Sequence, residues 1–133
     1  MPDLLSPARR SRTWTSTDNA VLVRLWTLAG TPVVRMHGRL GTAAAAPARS
    51  AMEAALAYRR RTIVLDLGDC SHEDRTARTL ILMMRRHAER HGVRLQLAGA
   101  SSELVAELTR SGLYGLFDWS DGTNETNTVR SEI

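Results

Sequence analysis

Thr76 is the residue of this chain best placed for regulatory chemistry. It lies in the run Thr62 to Arg86, TIVLDLGDCSHEDRTARTLILMMRR. That run begins as a strand, passes through a short acidic turn and opens a helix at Asp74-Arg75-Thr76. A hydroxyl in a first helical turn sits among backbone N–H groups that lack helical partners, where the macrodipole favours negative charge. A phosphate on Thr76 is held well there, or changes sharply what can dock. Arg75 and Arg78, one turn away, stabilise such a phosphate, while Glu73 and Asp74 oppose it by like-charge repulsion.

Other reactive residue types occur in patterns that do not complete a site. Asp66, Asp69, His72, Glu73 and Asp74 follow a strand, as acids do in metal-dependent phosphoryl transfer. A receiver-like site needs a further acidic pair after its first strand and a later lysine, and this chain has neither; Asp66 reads as a turn or cap residue. His87 and His91 have the i, i+4 spacing of zinc ligands, but Ala88 stands where a zincin has glutamate. With no third ligand evident, the pair reads as solvated or as a helix C-cap. Cys70 has no histidine placed to activate it. Neither a glycine-rich phosphate loop nor a Gly-x-Ser-x-Gly elbow is present. The expectation is a protein that is not an enzyme and carries neither metal nor cofactor.

These residues need a scaffold, and 133 residues suffice for one ordinary domain. A hydrophobic content of 43% beside 24% charged residues suits a globular protein. No apolar run approaches the roughly 20 residues of a membrane span, and the N-terminal segment lacks the apolar core of a secretory signal. The single cysteine excludes an internal disulfide and fits a cytoplasmic location. All 18 basic residues are arginine, so Schiff-base and Walker-lysine chemistry are absent. A net charge of +4 is too modest to demand a nucleic-acid partner. Arg75, Arg78, Arg85 and Arg86 are expected to share one exposed helix face, interrupted by Leu82 and Met83 in a way that suits protein contact.

Residues 1–18 read as a basic flexible tail and 121–133 as a polar tail, with one domain over 19–120 between them. Within it, Ala20–Trp26 and Val33–His37 read as paired strands around the turn at Gly30-Thr-Pro32. A helix follows with Pro47 in its first turn, then a buried strand at Ile63–Leu67. A second helix spans about 75–90 with Asp74 as N-cap, and Val93–Ala98 alternates as a strand. Ser101 or Ser102 caps a third helix that reaches Arg110. The order β-β-α-β-α-β-α implies an α/β fold: a mostly parallel sheet of four to five strands, with an antiparallel edge strand and helices packed against it.

This order, with three landmarks, resembles the STAS domain of anti-sigma factor antagonists. Val33-Val-Arg-Met-His-Gly-Arg-Leu-Gly41 is similar to the family's strand ending in Gly-Glu-Leu/Ile-Asp. Val64-Leu-Asp-Leu67 followed by Asp74-Arg75-Thr76-Ala77 resembles Asp-Leu, a turn, then Asp-Ser-Ser/Thr-Gly. Gly92-Val-Arg-Leu-Gln-Leu-Ala-Gly99, with Leu108-Thr-Arg-Ser-Gly-Leu113 and Leu116-Phe117, resembles the family's Gly-x-x-Leu-x-Leu strand and Leu-x-x-x-Gly-Leu ending.

The resemblance implies a signalling module that regulates transcription by partner switching. Such a module sequesters a serine/threonine kinase that is itself an anti-sigma factor, and releases it when phosphorylated. By position the phosphorylated residue is Thr76, and the implied contact surface is Gly38, Arg39, Gly41, Asp74, Arg75, Ala77 and Arg78. The chain departs from the pattern at that surface. Arg75 replaces the first hydroxyl, Ala77 the glycine and Arg78 a leucine; His72 and Glu73 replace two apolar residues, and Arg39 and Gly41 replace acids. A helical final segment is not evident either. These departures imply altered or lost phosphoregulation. The alternatives are a non-phosphorylated scaffold, self-associating as a homodimer, and, with less support, a nucleic-acid-binding protein.

Overall fold

The computed structural model describes residues 11–71 and 75–119, with the side chain of Arg75 outside that description. Six strands form one sheet: β1 (Arg12–Thr15), β2 (Val21–Leu28), β3 (Thr31–Arg39), β4 (Thr62–Ser71), β5 (Arg94–Ala98) and β6 (Asp118–Trp119). Three helices connect them: α1 (Ala45–Leu56), α2 (Arg75–Glu89) and α3 (Ser102–Arg110). Strand order in space equals order in sequence. The pairings β1–β2 and β2–β3 are antiparallel, and β3–β4, β4–β5 and β5–β6 are parallel.

Right-handed crossovers that advance one strand at a time place every connecting helix on the same face of the sheet. The alternation of the strands follows from this. Val21, Val23 and Leu25 of β2, Val34 and Met36 of β3, Leu65 and Leu67 of β4, and Leu95 and Leu97 of β5 turn inward. They meet Ala48 and Met52 of α1, Ile81 and Met84 of α2, and Leu104 and Leu108 of α3 in one buried core. The opposite face carries Arg24, Trp26, Arg35, Val64 and Gln96, all part-exposed. Ser101 caps α3 by accepting the Leu104 N–H at 3.1 Å, a contact of the kind worth about 1 kcal/mol.

The α/β class holds, but the sheet has six strands rather than four or five. Residues 12–15 were expected in a flexible tail and instead form β1, which pairs along its length with β2. Trp14 packs against the core from that strand, and the Arg12 guanidinium lies 5.0 Å from its ring centroid. At the other end Trp119 belongs to β6, where its ring stacks on Tyr114 at 4.7 Å. Strand β4 runs four residues beyond the apolar stretch, through Gly68, Asp69, Cys70 and Ser71. The remaining tail residues, 1–10 and 121–133, lie outside the described residues, as does the acidic turn at 72–74.

Candidate functional site

The carboxyl ends of β3 and β4 lie side by side, and the place where the first turn of α2 comes to the β3–α1 connection is the candidate site. The strands stay paired to their last residues, Arg39 beside Ser71, and the Leu40 N–H then donates to the Ser71 carbonyl at 2.8 Å. This tie fixes the start of the β3–α1 connection against the approach to α2. Thr76, the second residue of α2 and half-buried, consequently lies beside Gly41. A Cβ built on Gly41 would stand 3.8 Å from the Thr76 hydroxyl oxygen. Two motifs more than thirty residues apart in sequence are thus brought to one point.

Gly38 and Gly41 serve that point differently. Gly38 adopts φ +110°, and a Cβ there would fall 2.1 Å from the Ala20 carbonyl oxygen. Its missing side chain lets β2 and β3 close on each other. Gly41 has φ −146°, an extended conformation open to any residue, so its missing side chain leaves space at Thr76. A groove of about 540 Å³ opens beside them, lined by Asp18, Ala20, Gly38, Arg39, Gly41 and Ser71. Arg39 is exposed on its rim. On the facing rim the Ser16 hydroxyl, at 2.7 Å, and then the Ala20 amide hold the Asp18 carboxyl below the usual range. Asp18 is a groove residue that sequence reasoning missed, because the first part of its turn, Ser16 to Asp18, falls in the segment that reads as tail.

Two expected contact residues have tasks inside the fold. Ala77 is fully buried and packs in the core, because the helix turns that position toward the sheet; its methyl group does not reach the surface. Arg78 points to α3, where its guanidinium pairs with Glu107 at 2.9 Å and also donates to Ser111. Hydrogen bonding from Arg110, with lesser contributions from Arg110, Arg78 and Ser111, holds the Glu107 carboxyl below its ordinary value. The expected arginine face is therefore divided. Arg85 is likewise engaged, with Glu89 at 2.8 Å and the Leu116 carbonyl at 2.8 Å, and only Arg86 of the described three is exposed. Asp74 lies outside the described residues, and Arg75 is placed only as the start of α2.

Asp66 is a buried strand residue whose carboxylate organises the sheet's other face. It accepts from Arg35 Nε at 3.0 Å, pairs with the second guanidinium nitrogen at 2.9 Å and accepts the Gly68 N–H at 2.9 Å. The sequence reads Asp66 as a turn or cap residue, whereas it lies inside β4, paired on both sides, and only its bond to the Gly68 amide keeps a turn-like pattern. That bond accompanies an irregularity in register between Arg35 and His37, which lets His37 reach Asp69 at 3.1 Å. Gly99, at φ +71°, passes so close that a Cβ would stand 3.0 Å from the Asp66 carboxylate.

Burial, reinforced by the charges of Asp66 and Asp69, pushes the Cys70 thiol up to about 12, and its sulfur lies 3.0 Å from the Met36 carbonyl. At neutral pH the group is a thiol and a poor nucleophile. His91 Nδ1 lies 3.1 Å from the His87 carbonyl at the end of α2, in keeping with a C-capping role. Among the described residues no group of three or more His, Cys, Asp or Glu side chains could hold a metal ion. No helix of the described residues is long and apolar enough to cross a membrane.

The architecture is a sheet whose strands follow sequence order, with its helices on one face and the Thr76 hydroxyl beside the β3–α1 connection. The chain belongs to the STAS domain family: the family model described as "Mlab, STAS domain" matches residues 26–118. No curated protein matches the chain. Among solved structures it is similar to an anti-sigma factor antagonist from Mycobacterium paratuberculosis, with TM-score 0.63 and 14% identity over 80% of this chain and 89% of that one. It is also similar to the anti-sigma factor antagonist SpoIIAA in its unphosphorylated form, with TM-score 0.60 and 22% identity over 84% of this chain and 98% of that one. The phosphorylated form of the Bacillus cell fate determinant SpoIIAA gives TM-score 0.57 and 23% identity, over 81% and 99% of the two chains. At these identities the likeness establishes a shared fold.

Proposed function

We infer that this chain is an anti-sigma factor antagonist-like partner-switching protein that works in the cytoplasm and regulates transcription. Its partner is a serine/threonine kinase that acts as an anti-sigma factor, and any catalysis belongs to that kinase. The observation that carries this reading is the placement of the Thr76 hydroxyl in the first turn of α2, against the side-chain-free Gly41 and beside an open groove. A phosphate there adds close to two negative charges beside Gly41 and so changes what the surface around the groove presents. Arg39 and Gly41, with Asp74 and Arg75 of the motif that carries Thr76, form the contact surface, while Gly38 lets β2 and β3 close beside it. Ala77 and Arg78 act through the fold. Because the neighbours of Thr76 depart from the family pattern, the kinase matched to this surface differs from that of a Gly-Glu-Leu-Asp protein.

Affinity capture from the organism that encodes the chain tests the reading, using wild type, Thr76→Ala and Thr76→Asp as baits. An ATP-binding serine/threonine kinase retained by the first two baits and lost by the third supports partner switching. Equal retention by all three removes the switch and leaves a scaffold. An eluate that contains only copies of the chain favours self-association instead.

A further inference from the structure

Away from the Thr76 junction, α1 and α2 enclose a second recess of about 150 Å³. Arg49 and Met52 line it from α1, Met83, Met84 and His87 from α2, and Arg90 from the turn just beyond the end of α2. Helical spacing explains most of the set: residues 83 and 87 share one ridge of α2, with 90 just past its end, and 49 and 52 share one ridge of α1. Met52 and Met84 are fully buried and form an apolar floor. Arg49 leans across the recess, with a guanidinium nitrogen 3.9 Å from the Met83 sulfur.

The polar groups here are unbalanced. His87 Nε2 is buried, with no hydrogen-bond partner among the described residues. Among the described residues neither Arg49 nor Arg90 forms an ion pair and no carboxylate lines the recess. Glu89, an acid of the same helix, is held by Arg85. Two guanidiniums and an imidazole therefore surround a thioether floor without an anion to meet them. A buried donor without a partner is costly, and a recess that leaves one is incomplete as it stands.

We propose that the α1–α2 recess binds a small monocarboxylate with a short apolar chain. The carboxylate meets Arg49 and Arg90 and accepts from His87 in its Nε2–H tautomer, while the chain lies along the part-exposed Met83, over the buried Met52 and Met84. Guanidinium suits a carboxylate because its planar fork donates two parallel hydrogen bonds. Methionine adapts its three rotatable bonds to the occupant. The size follows from the volume: an engineered apolar cavity of about 150 Å³ holds benzene, so about six heavy atoms fit, the number in butyrate. The efficiency attainable by so few atoms places the affinity in roughly the millimolar range. This site is independent of the Thr76 reading, and the failure of either leaves the other standing.

The test is a titration of the full chain, labelled with carbon-13 at the methionine methyls, with butyrate, butylamine and inorganic phosphate in turn. The expected result is saturable shifts of the Met52, Met83 and Met84 methyls with butyrate, and much weaker responses to the other two. Butylamine carries the same chain with the opposite charge, and phosphate carries charge without a chain. Arg49→Gln and Arg90→Gln, both at exposed positions, should each weaken butyrate binding by roughly tenfold with an unchanged melting midpoint. Absence of saturation, equal response to butylamine or phosphate, or unchanged affinity in both variants overturns the proposal.

Discussion

Replacing Gly38 and Gly41 one at a time by alanine separates the residues that build the candidate site from those that leave it open. At Gly38 the new Cβ arrives 2.1 Å from the Ala20 carbonyl oxygen, at a φ of +110° that side chains rarely adopt. Backbone strain of this type costs about 1–3 kcal/mol, and forcing β2 from β3 adds an overpacking cost of about 1–3 kcal/mol. Gly38→Ala is therefore expected to lose about 3 kcal/mol, a fall of roughly 12 °C in melting midpoint for a domain of this size. At Gly41 the extended backbone accepts alanine, and the nearest atom, the Thr76 hydroxyl oxygen, is at ordinary contact distance, 3.8 Å. Gly41→Ala should remain within about 0.5 kcal/mol of wild type. It should nevertheless slow phosphorylation of Thr76 by roughly tenfold, because the methyl group occupies space that the reacting hydroxyl needs. Urea and thermal unfolding measure the first pair of values, and phosphate incorporation the third. A Gly38→Ala protein within about 1 kcal/mol of wild type would falsify the steric argument, as would a Gly41→Ala protein equally destabilised.

Breaking the Asp66 cluster by Asp66→Ala strands the Gly68 amide and the Arg35 guanidinium, which is 38% exposed and can rehydrate; a loss of about 2 kcal/mol is expected in denaturant unfolding. An Arg35→Met background should abolish part of that loss in a double-mutant cycle. For Glu107, whose carboxyl titrates low, Arg110→Ala should raise its titration more than Arg78→Ala does, as followed by NMR. The sign is fixed by linkage: the stability from this cluster is complete above the ordinary glutamate range and disappears as pH falls through the lowered value. Cys70, with its thiol pushed up to about 12, should react with iodoacetamide at pH 8 at least about a hundredfold more slowly in the native protein than after unfolding.

The sequence made the central elements plain, because their signals are local. The continuous apolar run of β4 and the helical spacing of Leu80, Ile81, Met84 and Ala88 in α2 announce buried elements by themselves. Strand β1 does not, since Arg12-Thr13-Trp14-Thr15 is four residues inside a basic polar stretch and becomes a strand only through β2. Gly68-Asp69-Cys70-Ser71 likewise has the composition of a turn, yet β3 provides partners that extend the ladder. At the site, the resemblance to STAS domains grouped Gly38–Gly41 with Thr76, and the fold brings Gly41 beside Thr76. The helical spacing of α2 already sets Ala77 with the apolar face, at odds with its place in the implied contact surface, but nothing local tells that Glu107, some thirty residues later, takes up Arg78. The α1–α2 recess was hidden for the same reason: its arginines, methionines and histidine each have an ordinary place on, or just past, their own helix, and only packing turns them toward one another.

The central claim, a phosphate-controlled switch at Thr76, is tested most directly by mass spectrometry of the chain after incubation with ATP and the kinase it captures. The account predicts one added phosphate, located on Thr76, absent from Thr76→Ala and accompanied by release of the kinase. An unmodified chain that stays bound, or a phosphate on another residue, would contradict it.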